Sequence, residues 1–149
     1  MAFIGRCRSS FHPGIVLAVY GSNGCKAGKD AEPVTPVSLS KVIEHLKLEV
    51  LSSKEDVERP IEGGYAGDLL SCAMRGAKKN YVWVTLQSHT NVVAVASLLS
   101  LAAVIITEGK RPTPETLTQA EKEKVILLLT SEDTFSVVGR LYLLGIGGA

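Results

Sequence analysis

The stretch VWVTLQSHTNVVAVASLLSL, Val82 to Leu101, decides how the chain is read. Val82 to Leu86 is a short run of β-branched, aromatic and aliphatic residues, the composition of a buried strand. Val92 to Leu101 is apolar at helical length, and five polar residues stand between the two runs: Gln87, Ser88, His89, Thr90 and Asn91. In an open parallel sheet such a segment leaves the carboxyl end of a strand and opens a helix, which is where ligands bind. It names a place to look, not a ligand or a reaction.

Regular elements spread outward from it. Leu39, Val42, Ile43 and Leu46 recur at helical spacing behind Ser38, whose hydroxyl suits an N-cap. Leu48 to Leu51 reads as a strand, and Pro60 to Tyr65 as an extended piece ending in a Gly63-Gly64 turn. Asp68 to Ala77 reads as a helix burying Leu69, Leu70, Ala73, Met74 and Ala77. Beyond the central stretch come a strand at Ala103 to Thr107 and a helix from the Thr113 cap and Pro114 to about Lys124. A strand at Val125 to Leu129 follows, then a helix capped by Ser131 and ending at Gly145 as its C′ residue. Strands alternating with helices predict an α/β fold: a three-layer sandwich with a mostly parallel sheet of four to five strands and helices on both faces.

Composition bounds the function. The 149 residues suffice for one compact domain, and 16 basic against 15 acidic residues leave a formal charge of +1 without a dominant block. That balance gives no electrostatic case for nucleic acid or for a membrane surface. Cys7, Cys25 and Cys72 form neither a CxxC pair nor a disulfide framework, so a reducing, cytoplasmic setting is expected. The apolar run Val92 to Ile106 falls short of the ~20 residues a membrane-spanning helix needs.

Residues 1–36 sustain no period beyond Ile15 to Tyr20 and read as an irregular, flexible extension, or as sequence upstream of a native start near Val37. Two sharper readings fail. Gly21 to Lys29 follows a strand-like run as a phosphate loop would, yet Asn23 stands where the first glycine belongs, and Asp30 replaces the hydroxyl that holds magnesium. A secretory leader is interrupted by His12 and Pro13, leaving an apolar core too short for export.

Several residues carry a resemblance. Glu58, Arg59, then Gly63, Gly64, Tyr65 and Asp68 to Ser71 resemble the signature of the DRTGG domain, and Trp83 to Ala96 resembles its second conserved block. The similarity continues through Thr107, Glu108 and Gly109 into Phe135 to Ile146, and so covers about Val37 to Ile146. Glu58 replaces the usual Asp, Pro60 and Ile61 precede Glu62 where a Thr is commonest, and Gly67 often has a Ser counterpart. The family is similar in fold to the amino-terminal domain of HPr kinase/phosphorylase. Its members also occur in phosphotransacetylases and beside CBS domains in regulated pyrophosphatases, so the resemblance implies an accessory or regulatory module. Kinase activity is disfavoured, because the resemblance reaches only a non-catalytic domain and no intact P-loop is present.

The candidate site is then weighed residue by residue. Paired Gly63 and Gly64, with a helix beginning near Asp68, suit an anion cradle or a plain turn capped by Asp68. A carboxylate there suits a ribose hydroxyl or a cation better than a phosphate. His89 lacks a neighbouring nucleophile for catalysis, and His12 and His45 stand at no ligand spacing to it, so no catalytic residue, metal or cofactor is assigned. Gln87, His89 and Asn91 offer directional donors and acceptors to a small molecule; alternatively Thr90 caps the helix and the rest serve the loop. Thr107 and Glu108 end the next strand and can share that rim, while Glu108 can equally be a solvated charge.

Two function classes follow. The preferred one is a non-catalytic regulatory or ligand-sensing module, with an adenine nucleotide or another small metabolite at the strand ends. The alternative is a protein-protein interaction or structural module without a small ligand; an enzyme comes third. The helix from Val92 and the final helix are more apolar than one buried face requires, so either a homodimer covers them or adjacent helices do.

Overall fold

The computed structural model describes residues 36–52 and 56–148. The readings of the amino-terminal stretch as a flexible extension, a phosphate loop or a leader fall on residues outside these, apart from Pro36.

The described residues form a three-layer α/β sandwich. A two-stranded antiparallel pair, β1 (Val37–Ser38) with β3 (Pro60–Ile61), flanks a five-stranded sheet. That sheet contains β2 (Glu49–Val50), β4 (Gly63–Ala66), β5 (Tyr81–Thr85), β6 (Ala103–Ile106) and β7 (Leu127–Leu129), in the order β2-β7-β6-β5-β4. Only β2 runs antiparallel to its neighbour.

Alternation along each strand supplies two cores. Val82, Val84, Ala103, Ile105 and Leu128 face α1 (Leu39–Leu46) and α5 (Thr134–Leu143). Trp83, Val104, Ile106, Leu127 and Leu129 face α2 (Leu70–Gly76), α3 (Thr90–Leu98) and α4 (Pro114–Lys122). Strands β4 to β7 follow one another across the sheet, so the three crossover helices between them pack on one face, as right-handed connections require. After β7 the chain crosses to the other face, and α5 runs back to contact β5 and β4. There the Gly147 carbonyl accepts the Gly64 amide at 2.8 Å and Gly148 bridges to Gly64, so the tail covers part of the β4 edge.

Local chemistry sets the helix ends. Ser38 caps α1 and Thr113 caps α4 with Pro114 next, as expected. Gly145 (φ 93°) donates to the Tyr142 carbonyl while Ile146 donates to Leu141, a Schellman closure that the glycine's positive φ permits. Four readings are corrected. The α5 cap is Asp133, not Ser131; Asp133 Oδ1 accepts the Ser136 amide at 2.9 Å. His89 rather than Thr90 occupies the α3 cap position, with no side-chain cap bond. Gly63 and Gly64 lie inside β4 and form no turn. Helix α2 starts at Leu70, which turns Leu69 and Met74 outward (63% and 48% exposed) and leaves Ala73 and Ala77 as its fully buried contacts.

The apolar excess is resolved differently on the two faces. On α3, the residues Val92, Val93, Val95 and Ala96 are buried among α2, α4 and the sheet, and Leu98 is its one exposed large apolar residue. Helix α5 keeps Phe135, Val138, Tyr142 and Leu143 exposed.

Gly63 is required by its neighbour, since a Cβ there would lie 2.6 Å from the Tyr81 ring. Gly63→Ala therefore lowers stability by about 1–3 kcal/mol in urea unfolding, and by less in a Tyr81→Ala background. The Ser136 hydroxyl, and after it the Ser136 amide, hold the Asp133 carboxyl below its ordinary value of 3.8. A carboxyl depressed in the folded state stabilises fully above its unfolded pKa and loses that contribution as pH falls through the folded one. Asp133→Ala accordingly lowers Tm at pH 7, and the gap to the parent closes in thermal scans taken below pH ~3.8.

Candidate functional site

The four parallel strands present their carboxyl ends to one side, and the loops that follow them carry most of the candidate residues. Gly67 leaves β4 at φ 156° and is held from both directions by β5. Its amide donates to the Val84 carbonyl at 3.1 Å, and its carbonyl accepts the Trp83 indole N–H at 2.8 Å. Asp68 is thereby placed over the end of β5. Its Oδ1 accepts both the Thr85 hydroxyl and the Leu86 amide, each at 2.7 Å, and Thr85 Oγ1 accepts the Gln87 amide at 3.1 Å.

This is why Asp68 does not cap α2: the oxygen that would reach down to the helix amides bonds sideways to β5. The bond pair also brings the Gly67–Leu69 loop and the start of the Gln87–Asn91 loop together. On the far side of that segment, the Thr116 hydroxyl of α4 donates to the Ser88 carbonyl at 3.3 Å. The backbone of the polar segment is thus anchored at Gln87 and Ser88. Gln87 is half-buried, while His89 and Asn91 are exposed, and none of the three side chains has a hydrogen-bond partner among the described residues.

Thr107 and Glu108 occupy different surroundings. Thr107 is fully buried, and its hydroxyl shares a 2.8 Å hydrogen bond with that of Thr134, tying the end of β6 to α5. Glu108 is exposed at φ 56°, and its amide donates to the Glu132 carbonyl at 2.9 Å. Gly109 (φ 64°) donates likewise to Thr130 at 2.8 Å. Thr107 is therefore a packing residue rather than an open binding group. Gly63 and Gly64 offer no anion cradle: Gly63 backs onto Tyr81, and the Gly64 amide is taken by Gly147.

Topology explains a further difference. The helices after β4, β5 and β6 share a face, so connections diverge only between β6 and β7, and it is at such a divergence that a strand-end crevice opens. The Glu108 and Gly109 amide bonds close the two loops over that point. A cavity of about 460 Å3 lies beside it, lined by Lys47, Glu49, Gly109, Arg111, Thr130 and Glu132 among others. Arg111 forks onto Glu49 at 3.1 and 2.7 Å, and Arg140 pairs with Glu132, so its charges are largely matched. Glu49 and Arg111 lie 62 positions apart, and no local sequence signal joins them. Thr85 was detectable: it is a lone hydroxyl in the apolar strand Val82 to Leu86.

Among the described residues no three His, Cys, Asp or Glu side chains gather to hold a metal, and no helix is long and apolar enough to cross a membrane.

Comparison with known proteins bears on the fold. A solved structure, the CBS and DRTGG domains of the regulatory region of Clostridium perfringens pyrophosphatase complexed with its activator diadenosine tetraphosphate, is similar at a TM-score of 0.59 and 18% identity. The alignment covers 73% of this chain and 47% of that one, so the present chain spans about half the length of the relative. No match is found among curated proteins. The DRTGG domain profile matches residues 41–144, a span containing the Gly67 clamp, the Asp68 bridge and all four parallel strands, and the chain belongs to the DRTGG domain family.

Proposed function

We propose that this domain is a non-catalytic, ligand-sensing regulatory module that recognises a small molecule at the carboxyl ends of β4 and β5. The observation that carries this reading is the Asp68 bridge to Thr85 and Leu86, because it fixes the segment from which Gln87, His89 and Asn91 present unpartnered polar groups. Preorganised donors and acceptors on a rigid frame favour recognition, since little ordering cost remains to be met on binding. A nucleoside or nucleotide suits the chemistry. The Asp68 carboxylate accepts ribose hydroxyls, and the amides of Gln87 and Asn91 match a base edge or sugar. The related regulatory region was solved with a dinucleotide activator, which supports the same ligand class here.

A second reading rests on α5. Phe135, Val138 and Tyr142 stand at i, i+3 and i+7, forming an exposed apolar stripe with Phe135 at 90% exposure. Such a stripe fits a second copy of the chain or a protein partner. A homodimer through α5 and ligand sensing at the strand ends are compatible in a regulatory module.

Thermal-shift assays with a nucleotide and metabolite panel test the first reading. A stabilising ligand is expected, with affinity falling about tenfold for His89→Ala or Asn91→Ala; no hit at millimolar ligand overturns it. Asp68→Ala leaves the Thr85 and Leu86 donors without their acceptor, so it costs about 1–3 kcal/mol of stability and weakens the same ligand. Sedimentation tests the second: Phe135→Glu shifts a concentration-dependent dimer toward monomer, whereas a parent that is monomeric at every concentration removes the dimer.

A further inference from the structure

The chain leaves β6 for α4 on one face of the sheet and β7 for α5 on the other, and ligands of open α/β sheets bind where strand-end connections diverge in this way. The cavity of about 460 Å3 beside that point is within the ~300–1,000 Å3 of small-molecule pockets. Three segments distant in sequence wall it. The turn from α1 into β2 brings Lys47 and Glu49, the loop after β6 brings Arg111, and the loop after β7 brings Ser131 and Glu132. Leu46 and Leu129, both buried, supply an apolar part of the lining. None of Asp68, Gln87, His89 and Asn91 lines it, so the site stands apart from the strand-end reading above.

The charges around the cavity decide what fits. Arg140 pairs with Glu132 and also donates to the His45 carbonyl at 2.9 Å, so one cation meets both that carboxylate and the negative end of α1. Arg111 meets Glu49 through two bonds, and Lys47, exposed at the end of α1, has no ion pair among the described residues. Lys47, Arg111 and Arg140 against Glu49 and Glu132 leave one positive charge over. The Arg111–Glu49 pair has side chains 65% and 52% exposed, so water screens it and it holds weakly. Its guanidinium keeps N–H donors beyond the two that Glu49 takes, and it accommodates a further carboxylate beside Glu49 or in its place. A phosphate dianion fits less well, since it sets a second negative charge near Glu49 and Glu132 with one surplus cation to offset it.

We propose that this cavity is a second ligand site, which takes a small monocarboxylate with an apolar body. The carboxylate is held between the Lys47 ammonium and the Arg111 guanidinium, and the hydrocarbon part lies against Leu46 and Leu129. Neither cation is in a local motif: the two residues come together only because β2 joins the sheet beside β7.

Heteronuclear NMR on the isotope-labelled full chain tests it with hydrocinnamate as probe. The amide signals of Lys47, Gly109 and Ser131 are expected to move as the probe reaches millimolar concentration, while those of His89 and Asn91 stay in place. Hydrocinnamamide, the neutral counterpart, is expected to bind about tenfold more weakly, and phenethyl phosphate more weakly than the carboxylate. Lys47→Gln and Arg111→Gln are each expected to weaken hydrocinnamate about fivefold. Lys47 is exposed and its replacement breaks no ion pair among the described residues, which covers the case in which Arg111→Gln disturbs the turn at Glu49. His89→Ala leaves the titration unchanged, so this site and the strand-end reading fail separately. The absence of shifts at millimolar hydrocinnamate, equal binding of the amide, tighter binding of the phosphate, or undiminished binding to Lys47→Gln overturns the proposal.

Discussion

The structure depends on the burial of β5 and β6 from both sides. From Val82 to Thr85 and from Ala103 to Ile106 no residue is more than 1% exposed, so each strand contributes side chains to two cores at once. A parallel strand in that position needs helices above and below it. The five helices of the described residues are short, seven to ten residues, and helices of that length are marginal in isolation. Sheet and helices therefore stabilise each other through packing, and a truncation in either strand, such as Ile105 to Ala, removes about 2–5 kcal/mol from both layers together.

Two features at the strand ends follow from that frame. Trp83 is buried in the α2 to α4 face, yet its indole N–H must be satisfied, and the Gly67 carbonyl is the acceptor that meets it. Thr85 is as deeply buried, and its hydroxyl finds Asp68. The polar demands of two buried β5 residues thus determine the course of the loop after β4. The same bonds orient the candidate rim, which links the core to the proposed recognition surface.

The edge of the sheet is managed unequally. At β4 the tail bridges to Gly64 through Gly148, while the last helix crosses the sheet with only Val137 and Leu141 fully buried. The exposed α5 stripe adjoins β4 at Val138 and Tyr142, which line a small apolar cavity together with Gly64 and Ala66.

The sequence by itself determined the alternation of strands and helices and the three-layer class, because burial on two faces writes continuous apolar runs such as Val82 to Leu86 and Ala103 to Ile106, and it pointed to the family through the resemblance carried by Gly63 to Tyr65, Asp68 to Ser71 and Trp83 to Ala96. It also located the polar segment Gln87 to Asn91 and the caps Ser38 and Thr113, whose signals are local. Tertiary structure alone decided what Asp68, Gly63, Thr107 and α3 do. Asp68 sits where a helix cap is expected and bonds across the sheet instead; Gly63 reads as a turn and is a strand residue facing a tyrosine ring. Thr107 reads as a rim residue and is sealed against Thr134, and α3, which the sequence leaves to either a second copy or adjacent helices, is covered by its neighbours. The first three of these outcomes depend on a group 17 or more positions away, as Asp68 and Thr85 are, and pairings at that range are selected by strand order and packing rather than by local pattern.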